Sequence, residues 1–381
     1  MIDRLLFSEL KNRLSEGSKI IVLYGARQVG KTTLTRLVID DLALKTLAIN
    51  ADEQKYIDVF SSRDLNKMLL VVEGYELLFI DEAQRIKDIG INLKILHDAR
   101  PNLKIIVTGS SSFELANKTK ESLAGRTWTF ALFPVSVSEL RNTSNLFEIN
   151  ELLEQILIFG TYPDVLNLPN QQDKIKYLYE LTTAYLYKDV LELSAVKYPD
   201  KLKKLLQLLA FQIGSEVSLN EIGNTLQLNR ATVETYIDLL EKAFVVFRLS
   251  GFSRNLRKEI VKMDKIYFYD LGIRNALINN FNDLAARNDQ GPLWENFLVL
   301  ERIKNNKYQN RFAQSYFWRT YTGAELDYVE EKNGQLNGFE FKFSPKSNSQ
   351  RPILAPKSWQ ENYPDATFAC ITQANYFDFI L

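Results

Sequence analysis

Eight residues limit what this chain can fold into more than any other feature. Gly25-Ala26-Arg27-Gln28-Val29-Gly30-Lys31-Thr32 fit the pattern G-x-x-x-x-G-K-[ST]. The run before them, Ile20–Tyr24, is apolar throughout, as a strand buried on both faces requires. The run after them, Lys31–Asp41, has helical spacing. A glycine-rich turn in that setting points backbone N–H groups inward and aims a helix N-terminus at the same spot, which suits phosphate oxygens. Gly25 to Thr32, with Thr33 behind them, are therefore expected to cradle the phosphates of ATP. Lys31 would reach the β- and γ-phosphates, and the Thr32 hydroxyl would ligate Mg²⁺.

A second run belongs with the first. Leu77-Leu78-Phe79-Ile80 ends in Asp81-Glu82. Placing two carboxylates at the end of a buried strand is costly unless they serve a cation. Asp81 is expected to hold Mg²⁺ through water, and Glu82 to polarise the attacking water as general base. The competing reading is a helix-capping aspartate. Further strand-like runs lie at Thr46–Asn50, Lys104–Thr108 and Trp128–Phe133, with helical runs at Ile91–Ala99 and Phe113–Leu123. Ile2, Leu5, Leu6, Leu10 and Leu14 give an amphipathic lead-in helix. Strands alternating with helices predict a parallel α/β sheet covered on both faces.

On these residues the chain resembles the AAA+ ATPases over about residues 15–195. The resemblance implies the strand order 5-1-4-3-2, a helical lid and a polar sensor after the fourth strand. Ser110, in Thr108-Gly109-Ser110-Ser111-Ser112, is the candidate; a Ser in that cluster could equally cap a helix. The resemblance also implies that Arg126, before the fifth strand, reaches the γ-phosphate of a neighbouring subunit in a homo-oligomer. The alternative is a local salt bridge. Gly25–Thr32, Ile80-Asp81-Glu82-Ala83-Gln84 and Thr108–Ser111 together look like a group of prokaryotic ATPases with a nuclease-like C-terminal domain. Ser122–Arg126 and Gly160-Thr161-Tyr162-Pro163 belong to the same likeness, although relatives more often show two glycines at the latter.

The chain has 381 residues, too many for one ordinary domain. We expect a P-loop core at 1–135, a helical lid at 136–210, a winged helix at 211–275 and a C-terminal α/β unit at 284–381. Lys+Arg and Asp+Glu both number 47, so nucleic-acid binding requires a local patch. Cys370 is the only cysteine and His97 the only histidine, which excludes internal disulfides and His-based zinc clusters. No apolar run reaches membrane-spanning length and no secretory signal is read, so the expectation is a cytoplasmic protein without a membrane partner.

Ser218 to Glu221 reads as a capping box opening a short helix, and Arg230–Lys242 as a second helix. Two strands follow, Phe244–Ser250 and Lys265–Tyr269. This resembles a winged helix-turn-helix with Asn229, Arg230, Thr232 and Thr235 on the recognition helix. Arg254, Arg257, Lys258 and Lys262 in the wing, with Arg248 and Lys265 beside it, form a positive ribbon suited to duplex or branched DNA. A protein-packing role for the same module is the alternative.

Further on, Glu325–Val329 and Gly338–Phe343 read as strands joined by an Asn333-Gly334 turn. Glu340 and Lys342 should project from one face, with Asp327 beside them and Glu295 on the helix Leu293–Ile303. That order resembles the PD-(D/E)xK nucleases over about residues 290–375. It implies Mg²⁺ on Glu295, Asp327 and Glu340, with Lys342 as a catalytic residue activating water. The alternative is an inactive copy or a cross-strand ion pair. The whole then reads as an ATP-driven protein acting on DNA. Two other readings stay open: a nucleotide-controlled signalling switch with an inactive, partner-binding C-terminal domain, and an ATP-gated transcription regulator that never cuts.

Overall fold

The structure is a computed structural model and describes residues 2–110, 123–186, 196–253, 264–343 and 353–381. Five strands form the first sheet: β1 (Ile20–Tyr24), β2 (Thr46–Asn50), β3 (Leu77–Asp81), β4 (Lys104–Gly109) and β5 (Thr127–Ala131). All four pairings are parallel, in the order β2-β3-β4-β1-β5. This is the expected 5-1-4-3-2 arrangement. Every residue of β1 is buried, because alternate side chains feed two different cores. Ile21 and Leu23 join the core that holds Leu6, Leu10 and Leu14 of the N-terminal helix. Ile20, Val22 and Tyr24 join a second core with Phe60, Met68 and Leu93. The helix read at Phe113–Leu123 lies outside the described residues except at its last position.

Short helices follow at Leu146–Glu151, Leu153–Phe159, Pro163–Asn167 and Gln171–Glu180. Asn145 and Glu148 close a capping box at the first of these, and Asn170 caps the last. Between the second and third, Gly160 takes φ +74°, and a Cβ there would stand 2.1 Å from an Asp270 carboxylate oxygen. That carboxylate accepts the Thr161 N–H at 2.7 Å and caps the helix Leu271–Leu277 through the Ile273 N–H at 3.1 Å. Asn275 on the same helix donates to the Leu157 and Ile158 carbonyls at 3.1 and 2.8 Å. One buried acid and one amide thus tie the segment Leu157–Thr161 to the chain 109 to 118 residues further on.

Burial pushes the Asp270 carboxyl up to about 6, against its hydrogen bonds from backbone N–H groups, which favour the charge. A carboxyl raised in the folded state holds a proton the unfolded chain has released, so stability falls as pH rises from about 4 to 6. At about 1.4 kcal/mol per pKa unit this costs roughly 3 kcal/mol above pH 6. Asp270→Asn should therefore flatten the pH dependence across that window. Urea midpoints of both proteins at pH 4.5 and 7 check it, and parallel shifts would refute it.

The helices Leu219–Leu226 and Arg230–Lys242 are capped by Ser218 and Asn229. Ser218 accepts the Glu221 N–H, which is half of the expected capping box. The strands after them do not close on themselves. β6 (Glu216–Val217), β7 (Val246–Gly251) and β8 (Asp264–Phe268) continue into β9 (Gln314–Arg319), β10 (Glu325–Lys332), β11 (Gln335–Phe341) and β12 (Thr367–Ile371). The result is one seven-stranded sheet, β12-β11-β10-β9-β7-β8-β6, with β7 parallel to β9. An edge strand exposes unpaired N–H and C=O groups, and β9 supplies partners for β7.

The helix Gln290–Tyr308 spans both halves of the molecule. Near its C-terminal end, Glu301 accepts the Val137 N–H at 2.7 Å, Lys304 donates to the Val135 carbonyl at 3.2 Å, and the Tyr308 hydroxyl accepts the Phe133 N–H at 3.1 Å. Near its start, Glu295 faces β8 through Lys265 and Tyr267.

Candidate functional site

The glycine loop leaves β1 at the carboxyl end of the first sheet, where ligands of open parallel sheets bind. Gly25 (φ +156°) and Gly30 (φ +94°) make its two turns. At Gly25 a Cβ would meet the Leu132 carbonyl at 2.1 Å, so only glycine fits there. The helix Lys31–Leu42 begins directly after the loop, with no side-chain cap and no acid in its first turn. Its first N–H groups and its positive end are left for an anion. Lys31 is buried, and its ammonium donates to the Gly25 and Ala26 carbonyls at 2.9 and 2.8 Å. Val29 is buried, Arg27 half-buried, and Gln28 and Thr33 exposed.

The Thr32 hydroxyl donates to an Asp81 carboxylate oxygen at 2.8 Å. Residues 49 positions apart are thereby joined. A hydroxyl and a carboxylate are hard oxygen donors of the kind Mg²⁺ prefers, so this pair fits that ion beside bound phosphate. The other Asp81 oxygen accepts from Thr108, and the Thr108 hydroxyl accepts the Glu82 N–H at 3.3 Å. Gln84 donates to the Glu82 carboxylate and, at 3.1 Å, to the Ser110 hydroxyl. Ser110 therefore reaches the acidic pair only through Gln84, whereas buried Thr108 touches Asp81 directly. Gln28 (φ +61°) and Glu82 (φ +54°) hold left-handed backbone, uncommon for residues with a side chain.

Two supports come from distant segments. Arg4 donates to the Val29 carbonyl at 2.6 Å, to the Phe133 carbonyl at 2.6 Å and to Glu139 at 2.8 Å. The Tyr177 hydroxyl donates to the Gln28 side-chain oxygen at 2.5 Å, so the helix Gln171–Glu180 touches the glycine loop. Sequence reading missed both. Arg4 sits among helical hydrophobics with a partner 135 positions away, and Tyr177 is one tyrosine among 18.

Arg126 lies at the opposite end of the sheet. Its carbonyl accepts the Ile20 N–H at the start of β1, and its guanidinium grips Asp98 at 2.8 and 3.2 Å. Within one chain the local salt bridge is what forms.

Arg230 is exposed at the start of its helix. Arg254, Arg257, Lys258 and Lys262 lie outside the described residues. Two cations grouped with them are engaged elsewhere. Arg248 pairs with Asp238 and Glu241, both at 2.7 Å. Lys265 is only 2% exposed and bonds Glu295 at 2.9 Å and Glu325 at 2.7 Å. The positive ribbon loses both: the helix Arg230–Lys242 holds Arg248, and the larger sheet brings Lys265 to Glu325.

The C-terminal residues do gather, with a different chemistry. A register shift in β10 between Leu326 and Val329 bends the strand at Asp327. Asp327 accepts the Phe341 N–H at 2.7 Å. Burial, then the Glu295 and Glu340 charges, push its carboxyl up to about 7. Glu340 is held by Lys342 at 2.5 Å. Glu295 accepts from Tyr267 at 2.6 Å as well as from Lys265. Burial alone would lower the Lys265 ammonium, but Glu295 and Glu325 carry it above the ordinary lysine range. Among the described residues no three His, Cys, Asp or Glu side chains are grouped to hold a metal ion. Glu295, Asp327 and Glu340, expected to share Mg²⁺, are instead divided between two lysines and a backbone amide.

Residues 17–141 match the family described as AAA domain. Residues 150–284 and 290–376 match two domains of unknown function, DUF8612 and DUF4143. The uncharacterized protein Rv2008c of Mycobacterium tuberculosis is 30% identical over 346 residues, covering 90% of this chain and 74% of that protein. Among solved structures, AMPPCP-bound DnaA from Aquifex aeolicus is 17% identical with a TM-score of 0.29, covering 62% of this chain and 87% of that one. The RuvB Holliday junction branch migration motor of Thermotoga maritima is 16% identical with a TM-score of 0.31, covering 65% and 90%. Among the described residues no helix is long and apolar enough to cross a membrane.

Proposed function

The chain belongs to the AAA+ P-loop ATPases, and from that premise we propose that it hydrolyses ATP as a homo-oligomer and spends the energy on DNA. One observation carries the nucleotide reading: Thr32 and Asp81 meet at 2.8 Å beside the uncapped start of the helix that follows the glycine loop. The loop N–H groups and Lys31 hold the phosphates. Thr32 and Asp81 would hold Mg²⁺, which supplies charge neutralisation on the phosphate oxygens when bound. Glu82 takes the proton of the attacking water, with its backbone N–H fixed by Thr108 and its carboxylate by Gln84. Arg126 serves a neighbouring subunit in this reading, and must leave Asp98 to do so. A single cysteine suits a reducing cytoplasm.

The DNA reading draws on the exposed, Asn229-capped helix that opens with Arg230, next to the basic wing sequence. ATP turnover measured without DNA and with duplex, single-stranded and four-way DNA tests it. Turnover should rise several-fold with at least one of these, and the rise should vanish between about 50 and 200 mM salt. Arg230→Ala should weaken DNA binding roughly tenfold or less, the scale of one contact. DNA-insensitive turnover at low salt would sink the DNA role and leave the nucleotide-controlled switch. Lys265 within the C-terminal acidic cluster favours that second reading for the C-terminal half, which then binds a partner and does not cut.

A further inference from the structure

The C-terminal cluster has the residues of a metal-dependent nuclease but not the vacancy such a site needs. Lys265 arrives from β8, outside the helix and two strands that carry the nuclease-like pattern. Its ammonium lies 2.9 Å from Glu295 and 2.7 Å from Glu325, and only 2% of its side chain is exposed. Tyr267, two residues on and therefore on the same face of β8, donates to the Glu295 oxygen that Lys265 also uses. Phe341 N–H takes one Asp327 oxygen, and Lys342 takes Glu340. A hexacoordinate Mg²⁺ or Mn²⁺ draws its oxygen donors to about 2.0–2.2 Å. It would have to displace a buried ammonium that already holds Glu295, the helix-borne acid of the pattern.

We infer that Lys265 is the resident cation of this cluster, a built-in side-chain substitute that keeps divalent metal out and leaves the C-terminal half without metal-dependent cleavage. The arrangement is self-consistent electrostatically. A buried charge is tolerated only when paired, and Lys265 and Glu295 pair each other without an exchangeable ion, with the partly exposed Glu325 on the same ammonium. The sheet makes the pairing possible: only because β8 joins the same sheet as β9 and β10 does its lysine reach Glu325. This inference concerns a site apart from the glycine loop and does not depend on ATP hydrolysis.

The test is Mn²⁺ binding to full-length, nucleotide-free protein, read from the electron paramagnetic resonance signal of the free ion. Wild type and Asp327→Asn should bind Mn²⁺ alike, because Asp327 holds none. Lys265→Met should gain a site at least tenfold tighter than any in wild type, and the double variant Lys265→Met/Asp327→Asn should lose it again. Comparing pairs cancels Mn²⁺ held at Thr32 and Asp81. Wild-type binding that weakens in Asp327→Asn would overturn the inference. So would a folded Lys265→Met that gains nothing. Should Lys265→Met not fold, Lys265→Arg, which keeps the charge, together with the wild type and Asp327→Asn pair still decides: metal taken up by Asp327 in either background refutes it, and none in both supports it.

Discussion

Lys31→Ala is expected to bring ATP turnover down by at least about a hundredfold while leaving the fold intact. The glycine loop itself folds the ammonium inward, and in this structure it rests on the Gly25 and Ala26 carbonyls. With triphosphate present, those carbonyls compete poorly with phosphate oxygens for a full positive charge. The rate loss comes from transition-state charge that no longer has a partner. Stability should fall by no more than a few kcal/mol, because the two freed carbonyls belong to buried residues and each lost bond costs about 1–3 kcal/mol. The measurement is steady-state phosphate release alongside a thermal melt. Persistent turnover in a folded Lys31→Ala would remove the glycine loop from the mechanism, and with it the reading of Asp81 and Glu82.

Gly160→Ala should destabilise the fold severely, with a loss on the order of 4 kcal/mol. Three costs add. The backbone there has φ +74° and ψ −163°, a region populated essentially by glycine, and forcing a side chain into it costs about 1–3 kcal/mol. The new methyl would stand 2.1 Å from one Asp270 oxygen and 2.4 Å from the other, so the carboxylate must move. Moving it breaks its bonds from Thr161 and Ile273, each worth about 1.5–3 kcal/mol to a charged acceptor. Part of this is recovered by relaxation, hence the total. Gly291→Ala is the control: a Cβ there meets nothing within 4 Å, and the residue lies in a helix. It should be neutral or stabilising by up to about 1 kcal/mol. Urea midpoints of the two variants should lie on opposite sides of, or at, the wild-type value. Equal midpoints would mean the joint at Asp270 yields freely.

Much of the first sheet could be read from residues because parallel strands buried on two faces are short unbroken apolar runs. Ile20–Tyr24 is such a run and begins and ends where the pattern puts it; Thr46–Asn50, an edge strand with one buried residue, keeps its bounds without being one. The glycine loop was equally legible, since each of its residue types has a mechanical reason for its place. What sequence could not supply was contact between distant segments. Lys265 sits among wing lysines and arginines, where charge usually means a solvated face. Its direction is set by β8 entering a sheet shared with β9 and β10, which begin only at Gln314 and Glu325. Thr108 lost to Ser110 for a related reason. The sequence does not say where the strand ends: β4 stops at Gly109, with Thr108 inside it and Ser110 just beyond. Arg4 had no local pattern at all.

The helix Gln290–Tyr308 has a consequence for how this protein can be cut or recombined. Its last turns supply partners for Phe133 N–H, Val135 carbonyl and Val137 N–H, just beyond β5. A shortened version ending before residue 290, or a chimera with a foreign tail, would strand those three groups at about 1–3 kcal/mol each. That sum rivals the whole margin by which a typical domain stays folded, so the phosphate-binding core and its C-terminal tail are inheritable only as a pair.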